Sequence, residues 1–149
     1  MRKLQMGRSA VRPTRSPGLA EAASRVGDRW SLLIVDALLE GERRFNELAT
    51  AVAGIAPNIL SARLKQLEHE GLVVSRPYSE RPLRLVYELT STGHDLAGAL
   101  RMLASWGSRS RGDVHGARHA VCGGELDVRW WCPGCSEVVP GDESDLHWV

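Results

Sequence analysis

Between residues 19 and 107 the apolar side chains recur every three or four positions, except in one stretch where they alternate. Leu19, Ala22, Ala23 and Val26 share one face of a short first helix that Gly27 closes, and Trp30, Leu33, Ile34, Ala37 and Leu38 define a second from Trp30 to Glu40, ended by Gly41. A third helix starts at Phe45 and runs through Leu48 and Val52 to Gly54. The fourth runs from Pro57 to Glu70: proline suits a first helical turn, and Gly71 tolerates the left-handed position that follows a last one. At 100° per residue Leu60, Leu64 and Leu67 fall within about 60° of one another, with Ile59 and Arg63 on the flank, so this stripe faces a core. The period then changes to two. Leu72–Tyr78 and Leu83–Leu89 read as the strands of a β-hairpin around the turn Ser79-Glu80-Arg81-Pro82. Thr90 offers a cap to a last helix, where Leu96, Leu100, Leu103 and Trp106 form a stripe up to Gly107.

The opposite face of the fourth helix carries Asn58, Ser61, Ala62, Lys65 and His69, all short or polar side chains without a carboxylate among them. Such a face suits a DNA groove, because base edges and phosphates favour hydrogen-bonding and cationic groups near the free N–H groups of a helix N-terminus. The third and fourth helices, joined by a short glycine-containing turn, form a helix-turn-helix, and the hairpin behind it takes the position of a wing. Asn58, Ser61 and Lys65 are expected at bases, with Arg63, Arg81 and Arg84 on phosphates and Arg76 a weaker candidate. The competing reading is an ordinary amphipathic surface helix with solvated rim charges. The stripes of the first and last helices are too wide for one small domain to cover, which points to packing of one on the other, within the chain or across a homodimer.

Composition fits one domain and an appendage: 149 residues, 43% hydrophobic and 25% charged. No run approaches the roughly 18 apolar residues of a membrane span, and the N-terminus lacks the apolar segment of a signal peptide, so a cytoplasmic protein with no membrane partner is expected. The net charge of +1 hides an uneven distribution: a basic arm at 1–15, a near-balanced stretch at 16–111, and a segment at 112–149 that ends in an acidic tail. The arm is expected to be mostly disordered, either solvated or lying along phosphates.

All three cysteines lie after position 120. His119, Cys122, Cys132 and Cys135 are spaced H-x2-C, nine residues, then C-x2-C, two paired sets of the kind a tetrahedral Zn2+ requires, with Gly123, Gly124 and Gly134 at turns and a strand expected over Leu126–Trp131. A structural zinc ribbon is the primary reading. The alternatives are unmetallated thiols, His115 in place of His119, and a zinc–thiolate redox sensor in which Cys132 and Cys135 form a disulfide. A further rival is a protein-interaction module presenting Trp130, Trp131 or Trp148. No phosphate loop, nucleophile elbow or zinc-protease pattern occurs, and four protein ligands leave no position for a catalytic water. A three-thiolate site with Glu125 as base is the residual enzymatic option, and a non-enzyme is expected.

Val26-Gly27-Asp28-Arg29-Trp30-Ser31, Arg44-Phe45, Gly54-Ile55-Ala56-Pro57-Asn58-Ile59-Leu60-Ser61, Arg63-Leu64, Leu67-Glu68, Gly71-Leu72-Val73, Tyr78, Arg81-Pro82, Tyr87, Leu89-Thr90, Gly93 and Trp106-Gly107 together closely resemble the HxlR-type winged-helix regulators. The resemblance spans about residues 19–107. It implies a bacterial transcription regulator that binds double-stranded DNA at a palindromic operator as a homodimer, with the first and last helices at the dimer interface, the Pro57–Glu70 helix in the major groove and the hairpin as wing. Many members sense oxidants or electrophiles through a cysteine just before the first helix. Here that place reads Ser16-Pro17-Gly18-Leu19, and neither serine nor proline forms a thiolate. A small-molecule effector is open, and the sequence identifies none. The expected fold class is mainly α with a small β wing, a winged helix-turn-helix, plus a small C-terminal β zinc ribbon.

Overall fold

A computed structural model of the chain describes residues 16–111 and 118–139. The elements in order are α1 (Pro17–Val26), α2 (Arg29–Leu38), β1 (Arg43–Arg44), α3 (Phe45–Ala51), α4 (Pro57–His69), β2 (Val73–Glu80), β3 (Leu83–Leu89), α5 (Ser91–His94), α6 (Ala97–Arg111), β4 (Trp130–Cys132) and β5 (Glu137–Val139). The basic arm, the acidic tail, His115 and Trp148 lie outside the described residues.

The stripe on α4 faces inward as its spacing requires: Leu60, Leu64 and Leu67 are buried with Ile34, Val35 and Leu38 of α2 and Leu48 of α3. α2 lies at the centre, packing on α3, α4, α6 and β3. Its first turn is held by Asp28, which accepts from the backbone N–H groups of Trp30 at 3.0 Å and Ser31 at 3.1 Å. α4 ends at Glu70, followed by Gly71 at φ +68°, a left-handed conformation in which a side chain is strained. Arg25 of α1 reaches across to donate to the Glu70 carbonyl oxygen and carboxylate, both at 2.8 Å, placing a cation at the negative end of the helix. The three-stranded sheet has the order β1-β3-β2 and is antiparallel, with Val73 opposite Leu89, Ser75 opposite Tyr87, and a bulge between Pro77 and Ser79.

Two expectations are corrected, and one short element is added. The two-residue strand β1 pairs Arg43 and Arg44 with Tyr87 and Val86, an element the sequence pattern does not predict. The last helix is not continuous from Thr90: α5 ends at His94, and α6 starts at Ala97 and runs past Gly107 to Arg111. At the break the Leu96 N–H donates to the Gly93 carbonyl at 3.2 Å, a bond across three residues, and Gly93 itself lies where a Cβ would sit 2.2 Å from the Leu72 carbonyl oxygen. Gly107 keeps its backbone N–H and weakens a helix by only about 1 kcal/mol, too little to end one. In the C-terminal segment the strand over Leu126–Trp131 is displaced to Trp130–Cys132, where it pairs with β5 across the tight turn at Cys132–Cys135, while Leu126 and Val128 stay exposed. Among the described residues no helix is long and apolar enough to cross a membrane.

Candidate nucleic-acid interface

On α4 the residues expected at bases lie on the outer face: Asn58 and Lys65 are exposed, as are Ala62 and His69, and Ser61 is half-buried. The helix enters through Ala56, whose side chain provides no cap, so the N–H groups of its first turn are not closed off by a side chain.

The arginines divide into two groups. Arg25 is held by Glu70, Arg43 by the Ala37 carbonyl oxygen and Glu40, and Arg76 by Glu88 and Glu42 at 2.8 and 2.6 Å. Arg63, expected on a phosphate, is also engaged within the fold: its Nη1 donates to Gln66 Oε1 at 2.7 Å, and its Nε lies 3.3 Å from Asp28 Oδ1, an ion pair that is not aligned as a hydrogen bond. A phosphate contact by Arg63 requires giving up that brace between α4 and the start of α2. Arg81 and Arg84 at the hairpin tip are exposed, and among the described residues no carboxylate holds either. Arg44 joins them from an unexpected direction. It is exposed, and its guanidinium stacks over the Tyr78 ring at 4.4 Å, in an open groove lined also by Asn46, Leu83 and Arg84. Nothing in the sequence except the Arg43-Arg44 doublet pointed to it; its place beside the wing depends on β1 pairing with β3.

Asp28 is the electrostatic centre of the α2–α4 junction. Burial pushes its pKa up, but the Ser31 hydroxyl (2.5 Å), the Ser31 N–H, the charge of Arg63 and the Trp30 N–H outweigh that and hold the carboxyl below its ordinary value.

The expected metal ligands come together as two pairs. His119 Nδ1 lies 3.2 Å from Cys122 Sγ. Cys132 and Cys135 face each other across their turn, and the Cys132 thiol is lowered from its ordinary value by the Cys135 backbone N–H, then by the Cys135 side chain and the Gly134 N–H. Among the described residues, no three His, Cys, Asp or Glu side chains gather as a metal cluster.

The model of the HxlR-like helix-turn-helix family matches residues 25–114. An uncharacterized HTH-type transcriptional regulator of Mycobacterium tuberculosis, Rv3095, is 39% identical over 125 residues, covering 81% of this chain and 78% of its own. A transcription-factor structure from Pseudomonas aeruginosa superposes with a TM-score of 0.64 at 34% identity, over 83% of this chain and 86% of that one. The reduced form of the transcriptional regulator YodB from Bacillus subtilis gives 0.55 at 31%, over 62% and 91%. The first two similarities cover more of the chain than residues 1–111 contain, so they extend beyond the winged part. The relatives are transcriptional regulators rather than enzymes, and the chain belongs to the HxlR-like helix-turn-helix family of transcriptional regulators.

Proposed function

We propose that the protein binds a palindromic operator in double-stranded DNA as a homodimer, with α4 in the major groove and the β2–β3 hairpin as wing. The observation that carries this reading is the division of the basic residues: Arg25, Arg43, Arg63 and Arg76 hold the fold together, whereas Lys65, Arg81 and Arg84 face outward with no carboxylate partner among the described residues. Exposed cations without carboxylate partners suit a phosphate backbone and release its counterions on binding. Asn58, Ser61 and Lys65 then read bases, while Arg81, Arg84 and Arg44 hold phosphates.

The dimer reading rests on α1 and α6. Among α1 residues only Val26 is buried, Leu19 is 68% exposed, and on α6 Leu103 is 52% exposed. The two helices do not pack extensively on each other within the chain, which leaves a second copy to cover them. Leu100 is a core residue and a poor probe of that interface; Leu103 is the right one. Two recognition helices related by a twofold axis read half-sites about 34–36 Å apart.

Fluorescence anisotropy with the protein's own upstream region against bulk DNA tests the reading. Specific binding is expected, with Arg84→Ala weakening all sequences alike and lowering the salt slope by about one, and Asn58→Ala losing roughly 1–3 kcal/mol at one base position only. Leu103→Asp is expected to sediment as a monomer and bind weakly. Equal affinity for upstream and bulk DNA, or a wild-type monomer at micromolar concentration, refutes the proposal.

A further inference from the structure

Residues 118–139 contain no buried side chain, yet they form two turns of closely related design. In the first, an antiparallel bridge between Arg118 and Glu125 closes a loop in which the His119 N–H donates to the Gly124 carbonyl and the Gly123 N–H to the His119 carbonyl, both at 2.8 Å. Gly123 takes φ +69°, and the turn folds the imidazole onto the Cys122 sulfur. In the second, β4 and β5 pair on either side of Cys132-Pro133-Gly134-Cys135, the Ser136 N–H donates to the Cys132 carbonyl at 2.9 Å, and Ser136 itself takes φ +57°. In the first turn a Cβ on Gly124 would sit 3.3 Å from Cys122 Sγ, tighter than an ordinary contact, whereas in the second a Cβ on Gly134 would meet Cys132 Sγ at an ordinary 3.7 Å. Both turns carry a pair of metal-binding side chains at a tight bend, the construction of a metal-binding knuckle.

We propose that the two turns are the halves of one zinc ribbon, and that His119, Cys122, Cys132 and Cys135 together hold a single Zn2+ in a closed tetrahedral site. Three thiolates and a neutral imidazole match the ion in softness, and fill all four positions, so the site is structural. The pairs stand apart as two units, and binding brings them onto one ion. The nine residues between Cys122 and Cys132 permit this, since they extend to about 30 Å and none of them is buried against another element. Binding releases one proton from each of the three thiols and leaves a site of net charge −1.

The test uses the full chain, purified without chelator. Elemental analysis is expected to find one zinc per chain. Replacement by Co2+ is expected to give a thiolate-to-cobalt absorption in the near ultraviolet and the intense visible bands of a tetrahedral ion. Cys122→Ser and Cys132→Ser are each expected to lower zinc content and shift the cobalt spectrum, while the thermal melting of residues 16–111 and the affinity for DNA report that the winged part remains folded. His119→Ala shifts the spectrum and His115→Ala does not. Zinc well below one per chain after saturation and dialysis overturns the proposal, as does half a zinc per chain, which makes the ion a bridge between copies. A cobalt spectrum unmoved by either cysteine variant overturns it as well.

Discussion

The winged part and the C-terminal segment are held together by different means. In residues 16–111, Ile34, Val35, Leu48, Leu60 and Leu67 are removed from water entirely, each burial contributing about 1.5–3 kcal/mol. In residues 118–139 nothing is buried, and Val121 is 87% exposed. What order exists there comes from the hydrogen bonds of the turns, of the β4–β5 pair and of the Arg118–Glu125 bridge, worth about 0.5–1.5 kcal/mol each. Fixing a backbone residue opposes folding by about 1–2 kcal/mol, so a two-strand hairpin whose apolar side chains Trp130, Trp131 and Val138 stay exposed does not stand unaided. A segment with that imbalance needs a different source of stability, and the four soft ligands at its turn apices are the one its side chains offer.

The largest effect that separates the two regions is therefore metal removal. A chelator that strips the proposed zinc is expected to remove on the order of 10 kcal/mol of folding free energy from residues 118–139. Amide exchange over residues 118–139 should become fast, while amides of α2 and α4 keep their protection. Equal protection of the ribbon with and without chelator would show that it stands unaided. The converse experiment damages only the core: Leu64→Ala, at a position 1% exposed, should destabilise the winged part by about 2–5 kcal/mol and leave the cobalt spectrum of the ribbon intact. A smaller effect is expected of Gly93→Ala, where the new methyl meets the Leu72 carbonyl oxygen and the junction of α5 with β2 must shift, at about 1–3 kcal/mol in denaturant unfolding. Unchanged stability would mean that α5 moves away freely.

The same contrast decides what was legible in the sequence. Leu60, Leu64 and Leu67 were readable as a buried stripe because a helix fixes their spacing, and the hairpin was readable because alternation and a proline-containing turn coincide. The break before α6 was not, since neither Asp95 nor Leu96 is a proline or glycine that would mark it. Arg44 at the wing was missed for a similar reason: a two-residue strand has no period, and only pairing with β3 places it. Arg63 shows the limit from the other side. Its position on the flank of α4 was read correctly, but the Asp28 carboxylate that engages it belongs to another helix. In the C-terminal segment the spacing of His119, Cys122, Cys132 and Cys135 is plain in the sequence and the strand position is not, because Val121, Leu126, Val128, Trp130 and Trp131 all stay exposed and mark no inside.

The smallest expected effect lies at Asp28, where the winged part itself depends on charge. Its carboxyl is held below the ordinary value of 3.8 in the folded chain, so its contribution is fully present above that value and is lost as pH falls through the lower folded value. At neutral pH, Asp28→Ala removes the cap on Trp30 and Ser31 and should destabilise by about 1 kcal/mol. Asp28→Asn keeps an acceptor for those N–H groups but loses the charge facing Arg63, and should fall between the two. The stability difference between wild type and Asp28→Asn should therefore be greatest at neutral pH and shrink on acidification below about 4, where the wild-type carboxyl takes up its proton. Urea unfolding at a series of pH values measures it. A difference that stays constant down to pH values well below the ordinary carboxylate range would mean that the fold does not favour the ionised carboxyl, and that neither its hydrogen bonds from Ser31 and Trp30 nor its pairing with Arg63 holds it charged.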